Sequence, residues 1–101
     1  GKLLEILEKI KGIKDYSDET GKEYINLIKE AQSIIAGIEE HEGNKKLMKC
    51  VTKAASDFRV EIKDRFDPYF FSMREQKKQT ELNYSKIIVT DSLKKILKCL
   101  N

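Results

Sequence analysis

The stretch Phe66-Asp67-Pro68-Tyr69-Phe70-Phe71 decides the fold of this chain: it holds four of the eight aromatic residues and the only proline. Proline has no amide proton and pushes the preceding residue out of the helical conformation, so a helix arriving through Arg65 and Phe66 is expected to stop here. Asp67 and Pro68 then form a start signal, a carboxylate at the N-cap and proline at the first helical position. The segment reads as a sharp corner between two long helical runs. Its clustered rings either plug one end of a core or form an exposed apolar patch that binds a partner.

Upstream of the corner, Leu47, Met48, Val51, Ala54, Ala55, Phe58, Ile62 and Phe66 recur at helical spacing, and the two alanines narrow the stripe midway. Before it, Tyr24, Ile25, Leu27, Ile28, Ala31, Ile34, Ile35 and Ile38 mark a helix of about six turns. Thr20 with Glu23 has capping-box spacing, and Ser17 offers a start one turn earlier. Gly37 within this pattern costs about 1 kcal/mol relative to alanine, and it either admits a neighbouring helix or leaves room beside the stripe. Gly43 is placed for a left-handed C-terminal cap, and Asn44 for the next N-cap. Glu39, Glu40 and Glu42 at one helix end and Lys45, Lys46 and Lys49 at the next oppose the helix dipoles, and are expected to neutralise each other across the turn, a binding site being the alternative. Leu3, Leu4, Ile6, Leu7, Ile10 and Ile13 give a first amphipathic helix of about three turns.

Downstream of the corner, Tyr69, Phe70 and Met73 begin a helical run that Leu82, Tyr84, Ile87 and Ile88 resume after a polar turn from Arg74 to Glu81. If straight, it overshoots the third helix. A break at Thr90 or Asp91 would release a short fifth helix with Leu93, Ile96, Leu97 and Leu100 that folds back over one end and brings Cys99 to Cys50. Residues 1–101 therefore read as one all-α domain, an up-and-down bundle of four helices with a possible short fifth at the C-terminus.

Composition narrows the function. At 40% hydrophobic and 37% charged, the chain sustains a single modest core under a densely charged surface. The net charge of +3 hides an asymmetry, with 6 basic and 10 acidic residues in 1–44 against 14 and 7 in 45–101. The halves can dock on each other, and the second can attract an acidic partner. No apolar run approaches the roughly 20 residues that cross a bilayer. No signal peptide begins the sequence, though a mature secreted chain would have lost one. Cys50 and Cys99 permit one disulfide if the protein is secreted and would be free thiols in the cytosol, and a secreted chain is favoured. Asn83-Tyr84-Ser85 is a glycosylation sequon, meaningful only in that setting.

Nothing here points to catalysis. His41, the one histidine, sits in a charged turn with no nucleophile pattern near it, and no zinc spacing, phosphate loop or dinucleotide fingerprint is visible. No enzyme activity, cofactor or metal is expected. Lys45, Lys46, Lys49 and Lys53 fall on one helical face, and Arg74, Lys77 and Lys78 form another small patch, but the interleaved charge lacks the density that phosphate-led binding to nucleic acid needs. The leading expectation is a non-enzymatic protein-interaction module or secreted effector, using the aromatic corner (Phe66, Tyr69, Phe70, Phe71) with Lys45, Lys49 and Lys53, with homodimerisation possible. The alternative is a carrier of a lipid or other small apolar ligand between helices lined by Ile28, Ile35, Ala54, Ala55 and Phe58. A third reading is charge-led binding to a membrane surface or nucleic acid.

Overall fold

Helix α2 (Asp18–His41) begins at Ser17, the earlier of its two start signals. The Ser17 hydroxyl accepts the Thr20 amide at 3.1 Å, and the Thr20 hydroxyl accepts the Ser17 amide at 2.8 Å. Thr20 is therefore the far side of a capping box and not the cap, and Asp18 and Glu19 in the first turn favour the positive end of the dipole. The computed structural model describes the backbone of residues 1–66 and 72–101 and the side chains of 1–63 and 72–101. The corner at Asp67–Phe71 and the Phe66 ring lie outside the described residues.

The other described helices are α1 (Lys2–Gly12), α3 (Lys45–Ala54), α4 (Ser56–Val60), a π-helical segment Glu61–Phe66, and α5 (Glu75–Leu100). The expected third helix is thus three pieces of one continuous run. Ala55 interrupts it with ψ near 0°, yet its amide still reaches the Val51 carbonyl at 2.9 Å and its own carbonyl accepts the Arg59 amide at 3.0 Å. Ser56 donates its hydroxyl to the Lys53 carbonyl, the local side-chain competition that loosens a helical ladder.

α5 takes no break at Thr90. It runs 26 residues, about 39 Å, because Thr90 turns its hydroxyl back to the Lys86 carbonyl at 2.6 Å and so fits inside a helix. The short extra helix lies instead in the third run, as α4. With α5 straight, Cys99 in its last turn still meets Cys50 on α3, with Cα atoms 5.9 Å apart in a disulfide. Antiparallel packing of α3–α4 on α5 brings them together without any folding back.

α5 packs against α1, α3 and α4, while α2 packs against α1 and α3, the cyclic order of an up-and-down four-helix bundle. One core runs through it, from Leu3, Ile6, Leu7 and Ile10 through Tyr24, Ile28, Ala31 and Ile35 to Val51, Phe58, Leu82, Val89, Leu93 and Ile96. One expectation is corrected, and one pair of alternatives is decided. Gly43 takes no left-handed conformation, since α2 stops when Glu42 turns extended at ψ 121°. Gly37 admits no neighbour, because a Cβ built there meets nothing within 4 Å. Asn44 caps α3 as expected, accepting the Lys46 and Leu47 amides at 3.0 and 3.1 Å.

Candidate functional site

Antiparallel packing of α3–α4 on the second half of α5 leaves a seam along their outer surface, and the seam has two ends of different chemistry. At one end the Cys50–Cys99 bridge and Ala54 line a cleft of about 500 Å³. Lys53 borders it from α3, Lys95 and Lys98 from α5, and Ser56 and Asp57 complete it. Among the described residues, three ammonium groups on two helices thus share the cleft with a single carboxylate and an apolar floor. Lys95 is also held by Asp91 at 3.1 Å, one turn away on α5.

At the other end Val60 on α4 faces Ile87 and Ile88 on α5 in a second cleft of about 450 Å³, edged by Asp57, Glu61 and Asp91. Val60 is 55% exposed and Ile87 68%, and Tyr84, one turn before Ile87 on the same face, is 47% exposed. These are most of the large apolar side chains that the described surface leaves in water, the others being Leu4 and Leu100. Asp57 lines both clefts, and the Asp91–Lys95 pair spans the same junction on α5. The two clefts therefore adjoin along the seam at Asp57, an apolar, acid-edged end and a basic end floored by the disulfide.

Of the sequence-predicted partner residues, Lys53 lies in this groove, and Lys45 and Lys49 are exposed earlier on α3. The four predicted aromatics fall on the undescribed corner or side chain. The predicted ligand-lining residues Ile28, Ile35, Ala55 and Phe58 are fully buried members of the continuous core, and Ala54 belongs to the basic cleft. Lys95, Lys98, Val60 and Ile87 are groove residues that the sequence alone does not single out. Ile87-Ile88-Val89 holds the missed signal: three consecutive apolar residues cannot share one helix face, and the core takes Val89.

Glu39 pairs with Arg59 and accepts the Thr52 hydroxyl at 2.8 Å, Glu42 accepts the Asn44 amide at 2.9 Å, and His41 is exposed. Glu39 and Glu42 thus find partners other than Lys45, Lys46 and Lys49. Among the described residues no helix is long and apolar enough to cross a membrane.

Two polar devices fix α5 against the rest of the bundle and so set the groove. Tyr24 on α2 and Ser85 on α5, both fully buried, share a hydrogen bond of 2.7 Å, and burial pushes the Tyr24 phenol well above its ordinary range. The α1–α2 connection is held by Gln79, which accepts the Tyr16 amide and donates to the Lys14 carbonyl at 2.9 Å. Lys86 donates to the Ile13 carbonyl there, and desolvation, with Lys14 nearby, lowers its pKa. Lys78 pairs with Glu75 at 3.0 Å and lies 5.4 Å over the Tyr16 ring, and the Glu75 carboxylate raises the ammonium above its usual range.

No protein-family model, curated protein or solved structure matches the chain.

Proposed function

We propose that this chain is a non-enzymatic interaction module that binds a protein partner along the α4–α5 seam. The observation behind this reading is the exposure of Val60 and Ile87 side by side on a surface otherwise dense in charge. Leaving such side chains in water forgoes about 25 cal/mol per Å² of burial, and contiguous exposed apolar groups of this kind are characteristic of interaction surfaces. Two helices cross-linked at Cys50–Cys99 hold the seam in one shape, which lowers the entropy lost on binding. A disulfide of this kind suits an oxidising compartment, so a secreted chain fits the same reading.

The test is selection of random peptides displayed on phage against the folded, disulfide-bonded chain, followed by affinity measurement on a Val60→Asp/Ile87→Asp variant. Peptides that lose at least about tenfold in affinity on that variant, about 1.4 kcal/mol, support the seam as the binding face. Peptides that bind both proteins equally, or no enriched peptide at all, overturn it.

A further inference from the structure

We infer that the seam takes an amphipathic helix of a partner protein with its acidic end lying at the Cys50–Cys99 bridge. This rests on the reading of the seam as a binding face and adds the chemistry and direction of its occupant. The groove is polarised. Lys53, Lys95 and Lys98 crowd its disulfide end, with Asp57 the only carboxylate among the described residues that line the cleft there. Val60, Ile87 and Ile88 form its other end, edged by acids.

The two ends are separated by a known length. Ile87 and Lys95 are two turns apart on α5, about 12 Å, and Lys98 lies about 16 Å from Ile87 along the same axis. A partner helix packed along the seam has the same rise per residue, so its acids must lie about 8–11 residues from its apolar anchor. An apolar side chain set on Ile87 then brings its carboxylates between lysines from two helices. The same lysines leave a basic partner no place at that end, so charge sets the direction in which the helix lies. The Asp91–Lys95 pair at the junction is a surface ion pair, 60% and 59% exposed, and yields readily to a competing carboxylate.

An anionic lipid surface offers the same charge and must be separated from a peptide by experiment. The displayed library is built from random peptides about 18 residues long, about 27 Å as a helix. Binders are measured on the wild type, on the Val60→Asp/Ile87→Asp variant and on a Lys53→Glu/Lys95→Glu/Lys98→Glu variant. All three lysines are solvent-facing, and circular dichroism confirms that the variant keeps its helices. Selected sequences should carry Asp or Glu about 8–11 residues from an apolar anchor. Their affinity should fall at least about tenfold on the lysine variant, and similarly on raising ionic strength from about 0.05 to 0.5 M.

Binders that lose affinity on the apolar variant but not on the lysine variant overturn the acidic end while leaving the seam as an interaction face. Binders insensitive to both overturn the two readings together. Vesicles of phosphatidylserine and phosphatidylcholine supply the remaining arm: lysine-dependent vesicle binding without any enriched acidic peptide overturns the inference in favour of a lipid surface.

Discussion

Tyr24 and Ser85 meet 61 residues apart in sequence, and neither hydroxyl sees water. Removing one partner leaves the other buried without its bond, which costs about 1–3 kcal/mol. Tyr24→Phe should therefore destabilise the fold by about 1–2 kcal/mol in urea unfolding, with the helical circular dichroism of the native state unchanged. A loss under about 0.5 kcal/mol would mean that Ser85 finds another partner. The same pair makes stability pH-dependent. A phenol whose folded pKa is raised keeps its proton where the unfolded chain, near pH 10, has lost its own. Its contribution is complete below about pH 10 and is lost as the pH rises beyond it. Tyr16 and Lys78, also raised, act in the same direction. Lys86, lowered, gains stability as the pH climbs toward its ordinary 10.5, because its folded form releases the proton first. Comparing wild type with Tyr24→Phe between about pH 9 and 11.5 isolates the tyrosine, and the variant should show a shallower alkaline loss. Parallel curves would contradict the burial assigned to the phenol.

At the level of helices, Gly37 is an opportunity that α2 leaves unused. It lies well inside the helix and a Cβ there meets nothing within 4 Å, so no close approach requires the glycine. Gly37→Ala should stabilise by about 1 kcal/mol through helix propensity alone, read as a higher urea midpoint with an unchanged denaturant slope. A neutral or destabilising result would mean that Gly37 serves something outside the bundle's own packing. The order of the main helices and the N-caps at Ser17 and Asn44 are legible in sequence because they are local. Three- and four-residue apolar spacing, Ser17 and Asn44 each act within one or two turns. What escapes is also physical. Thr90 and Asp91 resemble a helix start, yet a threonine hydroxyl satisfied by the carbonyl four residues back continues a helix equally well. The division of the third run at Ala55 carries no glycine or proline to announce it.

The groove belongs to the whole molecule, and that is why the sequence shows only part of it. Lys53 and the cysteine pair stand out in the chain, but Lys95 and Lys98 join Lys53 only when α5 lies antiparallel to α3. Val60 and Ile87 become neighbours in the same way. The bridge closing this end spans 49 residues. In the loop-entropy account, opening a loop of that size returns about 4 kcal/mol of conformational freedom to the unfolded chain, a large share of the stability of a domain this small. Reduction, or Cys50→Ser/Cys99→Ser, should then lower the unfolding free energy by about 4 kcal/mol. It should also steepen the dependence on urea, because an uncrosslinked unfolded chain exposes more surface. The alternative is local: if the core from Ile6 to Ile96 holds α5 without help, reduction frays only its last turn and leaves the global midpoint unmoved. Hydrogen exchange separates the two. Loss of protection across α1, α2 and α5 together marks a global contribution, whereas loss confined to about the last turn of α5 refutes it. Cys50 and Cys99 line the basic cleft, so even a purely local opening would spread its lysines. Under either outcome, an acidic helix seated there should bind the oxidised chain more tightly than the reduced one.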